Sequence, residues 1–357
     1  MKTYIRFLIN IFTISLFKVF TIFFIIILIS NILEQTEFFK ELDFSFFYLV
    51  FLSFLNTPSI VFEILPFIFL ISTQIFFIYL IDKNELEIFK YRGLTNYTII
   101  KIISAYTIIV ALIFVVLFYN ISAVLKNSYL VIKNKHTNDS KYLAVINKNG
   151  LWIKDEINEE INIINAHKVD KEFLLNVSIA QFNKDFESIR VIHSKKVNIS
   201  STTWDILKPV ILEKGIKTNP EKIKLKSNFD LEKINGLFSN LSSLTILELI
   251  KLRKSYKSLN YSVTEIESHL YKLVSYPLYL TLITIFAAII MFNIGYQKNS
   301  LFKVVLGIFL SVIIYYVNNF FNVLGTSEKI PLILSIFLPL IILSIINMTS
   351  IIKLNEK

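Results

Sequence analysis

Asp82-Lys83-Asn84-Glu85-Leu86-Glu87-Ile88-Phe89-Lys90-Tyr91-Arg92-Gly93-Leu94-Thr95 is the stretch around which this chain is organised. It is polar and densely charged, and a long apolar run lies on each side, at residues 59–80 and 97–124. A bilayer crossing needs about 20 apolar residues, so each run is long enough to span and the charged stretch lies at a membrane face. Leu86, Phe89 and Leu94 recur at helical spacing, and Gly93 is a helix stop. The stretch reads as a short helix against the membrane, with Glu85, Glu87, Lys90 and Arg92 available to a soluble partner. An ordinary amphipathic loop helix fits the same residues.

Composition supports a membrane protein. Of 357 residues, 54% are hydrophobic and 18% charged, whereas soluble domains run at about 45–50% apolar and about 25% charged. The excess sits in long runs. Phe, Ile, Lys and Asn are abundant together, the bias of an AT-rich coding sequence, so the net charge of +10 carries little functional weight. The lysines are spread along the chain and form no single basic face, which argues against a nucleic-acid partner. Cysteine is absent, which excludes disulfides, thiolate metal sites and a cysteine nucleophile. No cleavable signal is expected at the N-terminus, since its apolar run is too long and lacks a small-residue cleavage site.

Working outward, the first span ends near Leu33 and is followed by Glu34, Glu37, Glu41 and Asp43, relieved only by Lys40. Residues 44–55 form a shorter apolar piece: a re-entrant or interfacial helix, or the extended start of the second span. Asn56-Thr57-Pro58 reads as a break, with Pro58 in the first turn of the helix that follows. The second span runs to Leu80 and the third ends near Val124. Residues 126–272 contain no spanning run. Short alternating stretches at 143–146, 151–153, 161–164, 173–179, 189–192 and 197–199 read as strands, parted by turns such as 147–150 and 218–220. Residues 243–258 and 263–272 read as helical. Three further spans follow, at 273–294, 304–324 and 331–352, joined by loops at 295–303 and 325–330.

The expected fold class is therefore membrane α-helical, with six transmembrane helices and an inserted all-β domain. Its parts are a first half at 1–125 carrying the charged helix 82–95, a β domain at 126–242, a helical connector at 243–272 and a second half at 273–357. Lys2, Arg6, Lys83, Lys90, Arg92, Lys101, Lys298, Lys303, Lys353 and Lys357 fall on one side, against Lys40 and Lys329 in short loops on the other. The basic side is expected to be cytoplasmic and the β domain outside.

No catalytic constellation is legible. His136, His167, His193 and His269 are scattered and read as surface or turn histidines. None of the seven glycines opens a Gly-x-x-x-x-Gly-Lys loop, so any ATP must be bound by another chain. Glu63 lies in an apolar run, where an ionisable residue is a functional candidate; its nearness to Pro58 equally suits an interfacial position. Tyr315, Tyr316, Asn318 and Asn319 put polar groups on the fifth span, either as helix packing or as the lining of a polar-lipid path.

These features together resemble a known family. Pro58…Glu63-Ile64-Leu65-Pro66 resembles the Pro…Glu-Leu-Leu-Pro pattern of the LptF/LptG permeases of lipopolysaccharide export. Asn84-Glu85-Leu86…Lys90…Gly93-Leu94-Thr95 resembles their Ser-Glu-Leu…Arg…Gly-Leu-Ser coupling segment. Gly150-Leu151-Trp152-Ile153-Lys154-Asp155 resembles the Gly-Leu-Trp-x-Lys/Arg-Asp stretch of the LptG type, which favours LptG over LptF. The layout of three spans, an external β-jellyroll and three spans matches over nearly the full length.

The resemblance implies a non-enzymatic permease subunit of the bacterial inner membrane, with its jellyroll-like domain in the periplasm. The implied partners are an LptF-like sister permease, a cytoplasmic LptB-like ATPase dimer holding ATP and Mg, and LptC-like and LptA-like jellyroll proteins. The cargo is lipopolysaccharide or a related glycolipid. Glu85, Leu86, Phe89, Lys90, Arg92 and Gly93 would couple to the ATPase, with Leu86 and Phe89 as the apolar seat and Lys90 replacing the usual Arg. Lys40, Asn31, Tyr315, Asn318 and Asn319 are the lipid-contact candidates. Where the first span emerges, the family's LptG type often carries basic residues; here only Lys40 could serve, which argues against direct phosphate capture there and leaves two alternatives, contact elsewhere or a different head group. A membrane-anchored sensor or scaffold with a ligand-binding β domain is the alternative.

Overall fold

The computed structural model describes residues 3–40, 44–136, 151–157, 160–170, 172–184, 187–213, 215–231, 234, 240–258, 262–293 and 300–355. The chain divides into two compact units. One holds Met1–Asn127, Ser242–Leu249 and Val263–Lys357; the other holds Ser128–Leu241 and Ile250–Ser262.

The first unit is helical. Its apolar helices are α1 (Thr3–Phe38), α2 (Phe46–Glu63), α3 (Leu65–Asp82), α5 (Asn96–Ile113), α8 (Thr264–Asn293), α9 (Ser300–Thr326) and α10 (Leu332–Asn355). The short α4 (Glu85–Tyr91) joins α3 to α5, and a π-helical turn, Phe114–Phe118, leads from α5 into α6 (Tyr119–His136). Helix α7 (Ile246–Ser258) precedes α8. Helix α8 is the hub: it packs on α3, α5, α9 and α10, while α1 packs on α2, α3 and α5. Leu70, Tyr279, Leu282, Ile283, Ala287, Leu340 and Leu343 form one buried cluster across α3, α8 and α10.

Among the described residues seven helices are long and apolar enough to cross a membrane, counting α5–α6 as one. Six spans are expected from the sequence. The difference arises at Ile64, which separates α2 from α3. Residues 44–55 thus belong largely to the start of a long helix rather than to a shallow one. Pro58 causes no break and does not begin a helix; it lies inside α2. Tertiary packing holds the helix together there: Ser53, Asn56, Thr57, Pro58 and Ser59 are all buried. Asn56 donates to the Asn31 carboxamide oxygen (3.2 Å), Asn31 donates to Thr57 (3.1 Å), and Thr57 donates to the Ser53 carbonyl (2.7 Å). Buried amides satisfied in this way tie α2 to α1 where lipid offers no partner.

The third span also runs further than its apolar composition suggests, since the α5–α6 helix continues past Val124 to His136. Likewise α8 begins at Thr264 and passes through Pro277 without interruption. Helix α9 is held to its neighbours by two polar pins. Gln74 of α3 donates to the Lys303 carbonyl (2.9 Å) beside Gly307, where a Cβ would lie 2.0 Å from the Gln74 amide nitrogen. Nearer the other end of α9, Ser268 of α8 donates to Asn322 (2.8 Å).

The second unit carries an eight-stranded antiparallel sheet: β1 (Leu151–Ile157), β2 (Glu160–Asp170), β3 (Phe173–Phe182), β4 (Ser188–Asn198), β5 (Thr203–Leu207), β6 (Val210–Glu213), β7 (Ile216–Thr218) and β8 (Lys222–Lys226). The order is β1-β2-β3-β4-β5-β8, with β6 also on β4 and β7 on β6. The stretches 189–192 and 197–199, which read as two strands, fall largely on the single strand β4; the strand 143–146 and the turn 147–150 lie outside the described residues. Val177, Ile179 and Ile192 lie in the buried core with Trp204, whose indole N–H donates to the Phe229 carbonyl (2.7 Å). Asp155 is 2% exposed and accepts from Ser227 Oγ (2.8 Å), Asn228 N (3.1 Å) and Asn228 Nδ2 (2.8 Å). The acid of the Gly-Leu-Trp-x-Lys-Asp stretch is thus a structural clasp, while Trp152 beside it is exposed.

Candidate functional site

The interruption at Ile64 has a local chemical cause. Pro66 has no N–H to give the carbonyl four residues earlier, that of Phe62. The Tyr276 hydroxyl of α8 supplies the missing donor, at 2.5 Å, and its ring stacks on Phe62 with centroids 4.8 Å apart. The bend therefore fastens α2 to the hub helix and leaves Glu63 at the last position of α2.

Glu63 opens onto a cavity of about 300 Å³ within the helical unit. Its wall is drawn from α2, α6, α8, α9 and α10 and includes Glu63, Tyr119, His269, Lys272, Tyr315 and Asn318. Tyr119 donates to the Leu244 carbonyl (2.9 Å) and also lies 2.9 Å from His269 Nε2. A hydroxyl has one proton, so His269 is the donor of the second bond and carries its hydrogen on Nε2. Lys126 donates to Ser242, itself a wall residue (2.6 Å). Asn318 and Tyr279 both line the same wall. Glu63 acts electrostatically on both Lys126 and Lys272. One ammonium group, Lys272, one carboxylate, Glu63, and a set of hydroxyls and amides thus line a space whose remaining walls are aromatic and aliphatic, with Lys126 behind the wall residue Ser242. Such a space suits the junction of a polar anionic head and an apolar tail.

The level of the cavity follows from helical rise. Glu63 precedes the Asp82 end of α3 by 19 residues, Lys272 precedes Asn293 by 21, Asn318 follows Ser300 by 18, and Ser335 precedes Asn355 by 20. At about 1.5 Å per residue these are all roughly 27–32 Å, the thickness of a bilayer's hydrocarbon core, about 30 Å. The wall residues of four separate helices sit one core thickness from the helix ends on the basic side.

The charged helix lies at that far end, directly after α3. Helix α4 begins after Asn84, in the left-handed conformation at φ 56°, and ends in a Schellman turn. Gly93 N donates to the Lys90 carbonyl (2.9 Å) and Leu94 N to the Phe89 carbonyl (3.0 Å), with Gly93 at φ 81°. Leu86 and Phe89 are buried in the chain itself, Phe89 meeting Phe7 of α1 edge-on at 5.9 Å. They seat α4 on its own unit and do not face outward. The apolar groups offered outward are Tyr91, 89% exposed, and Ile88, 44% exposed, beside exposed Glu87, Lys90 and Arg92 and a half-buried Glu85.

Of the lipid-contact candidates, Tyr315, Asn318 and Asn319 all line the cavity. Asn31 is 2% exposed within the α1–α2 amide network, and Lys40 is exposed beyond the end of α1; neither is a wall residue. His269, read from sequence as a surface or turn residue, is in the wall. Lys272, the last residue of the helical connector read from sequence, is also in the wall, and Lys126, the first of the β domain so read, lies behind the wall residue Ser242. The available signal was a cation within a turn or two of an apolar run whose helix continues.

A membrane-embedded helical unit with a polar cavity, an inserted antiparallel sheet and an exposed charged helix between two spans defines a multi-pass membrane permease. The family model described as lipopolysaccharide export system permease LptF/LptG matches residues 6–353, and the chain belongs to that family. No curated protein matches it.

Proposed function

We propose that this chain is the permease subunit of an ABC transporter that lifts lipopolysaccharide, or a related glycolipid, from the outer leaflet of the inner membrane. The observation that carries this reading is the polar cavity one bilayer core away from α4, with Lys272 in its wall and Lys126 behind Ser242. With the basic side in the cytoplasm, the cavity is at the level of the outer head groups, where such a lipid presents its phosphates. Helices α2 and α3 act as one kinked crossing, since Ile64 N donates to Ile60 O (3.2 Å) and Ile64 O accepts from Phe67 N (3.0 Å). That makes six crossings and puts both termini in the cytoplasm. Lys126 and Lys272 replace the basic exit of span 1 that the LptG type uses for phosphate. A separate ATPase dimer docks on Glu85, Glu87, Ile88, Tyr91 and Arg92, and its closure displaces α4. Helix α3 carries that displacement to the kink and narrows the cavity against a sister permease, sending the lipid toward periplasmic jellyroll partners. The test is a photocrosslinking amino acid at Tyr315. It captures the glycolipid in membranes of cells making the complex, and capture falls on ATP turnover. Capture that never occurs, or occurs equally from the outward face of α4, would refute the placement.

A further inference from the structure

The cavity holds more than cations. Among the described residues Glu63 forms no direct ion pair, yet it is the one carboxylate in the wall and acts on Lys126 and Lys272 across space. It is also exposed to the cavity rather than buried against a neighbouring helix. Lys126, behind the wall, is bonded to the wall serine Ser242, and the wall residue His269 to Tyr119, so both have neutral partners and Glu63 anchors neither. A structural ion pair would show the carboxylate within bonding distance of an ammonium group. Glu63 instead stands off at the end of α2, beside the interruption at Ile64.

We propose that Glu63 is a resident competitor for the head-group phosphate: in the empty permease it occupies the field of Lys126 and Lys272, and a phosphorylated glycolipid must displace it to bind. This inference rests on the head-group reading above and adds to it how the lipid is let go. A phosphate monoester carries more charge and more acceptor oxygens than a carboxylate, so it wins while the cavity is open. When the cavity narrows, Glu63 returns to the lysines and lowers the cost of removing the phosphate. Its place at the end of α2, next to the kink, lets movement of α3 decide which anion faces the lysines.

The experiment uses the purified complex in nanodiscs and three probes: a bisphosphorylated diglucosamine lipid, its dephosphorylated counterpart, and inorganic phosphate as competitor. Glu63→Gln should bind the bisphosphorylated lipid about fivefold tighter, the change expected for losing a partly exposed charge interaction of about 1 kcal/mol. Its affinity for the dephosphorylated lipid should not change. Glu63→Asp should return toward wild type, and lipid released per ATP should fall for Glu63→Gln alone. Lys126→Gln and Lys272→Gln should each weaken the bisphosphorylated lipid severalfold. If the lysine variants weaken it while Glu63→Gln leaves affinity unchanged or lower, the competitor fails and the head-group site stands. If neither lysine variant affects either lipid, the head-group reading itself fails. If inorganic phosphate binds with the predicted Glu63 dependence and the lipid does not, the site belongs to a soluble anion and the proposal is overturned.

Discussion

Tyr276→Phe isolates a single hydrogen bond. The substitution keeps the ring that stacks on Phe62 and removes only the hydroxyl that donates to the Phe62 carbonyl at 2.5 Å. That carbonyl lacks its helical donor because residue 66 is proline, so the variant leaves it without a partner. An unsatisfied buried group costs about 1–3 kcal/mol. Between membrane helices measured side-chain bonds average about 0.6 kcal/mol and reach about 1.7. The expected loss is therefore about 1 kcal/mol, read as a lower midpoint of reversible unfolding in mixed micelles. The decisive measurement is a double-mutant cycle with Pro66→Ala. Alanine returns an N–H to Phe62, so in that background Tyr276→Phe should cost close to nothing. A loss of the same size in both backgrounds would show that the hydroxyl serves something other than the orphaned carbonyl, and the account of the bend would be refuted.

A cysteine introduced at Asn183, in a chain with none of its own, should react with a membrane-impermeant maleimide added outside the inner membrane; labelling only from the cytoplasm would invert the topology. Glu85→Lys and Tyr91→Ala should each reduce co-purification of the ATPase, Glu85→Lys the more so, because it sets a cation against a basic partner group. Retention at wild-type levels in both would remove α4 from the docking surface. Asp155→Ala strips three hydrogen bonds from a buried carboxylate and should cost the β unit about 3 kcal/mol, read as faster proteolysis there. Gly93→Ala, strained at φ 81° where nothing crowds a Cβ, should loosen α4 by about 1 kcal/mol and raise amide exchange over Glu85–Tyr91.

The layout was legible because long apolar runs and short alternating ones are different periodic signals, and each survives without tertiary information. Positions where helices bend or continue were not. Pro58 and Pro66 carry the same local rule, and only packing decides that Pro58 is absorbed by a buried polar network while Pro66 marks the break. The cavity was half legible. Tyr315, Asn318 and Asn319 stand out as polar groups in an apolar span, whereas Lys126 reads as the start of the β domain and His269 and Lys272 as part of a connector helix, until α6 and α8 are seen to run on into the apolar unit. For α4 the helical spacing of Leu86 and Phe89 was plain, but periodicity names an apolar face without saying which body covers it. Here the chain covers its own.

Helix α9 has a consequence for how this sequence can drift. Only 11% of its most apolar stretch is buried, and Gln74 and Asn322 fasten it near its two ends. Between them only one side packs, with Ile314 against the buried cluster of α3, α8 and α10 and Tyr315 against Phe67, while the other side stays open. Side chains such as Phe309, Ile313 and Phe320 meet no partner surface of fixed shape within this unit, so most exchanges among bulky apolar residues there should be silent. Gly307 is the exception. A single methyl group at that position would push Gln74 off the Lys303 carbonyl and cut α9 loose from the helix that leads to α4, so one of the smallest changes available to the chain would be among the least tolerated.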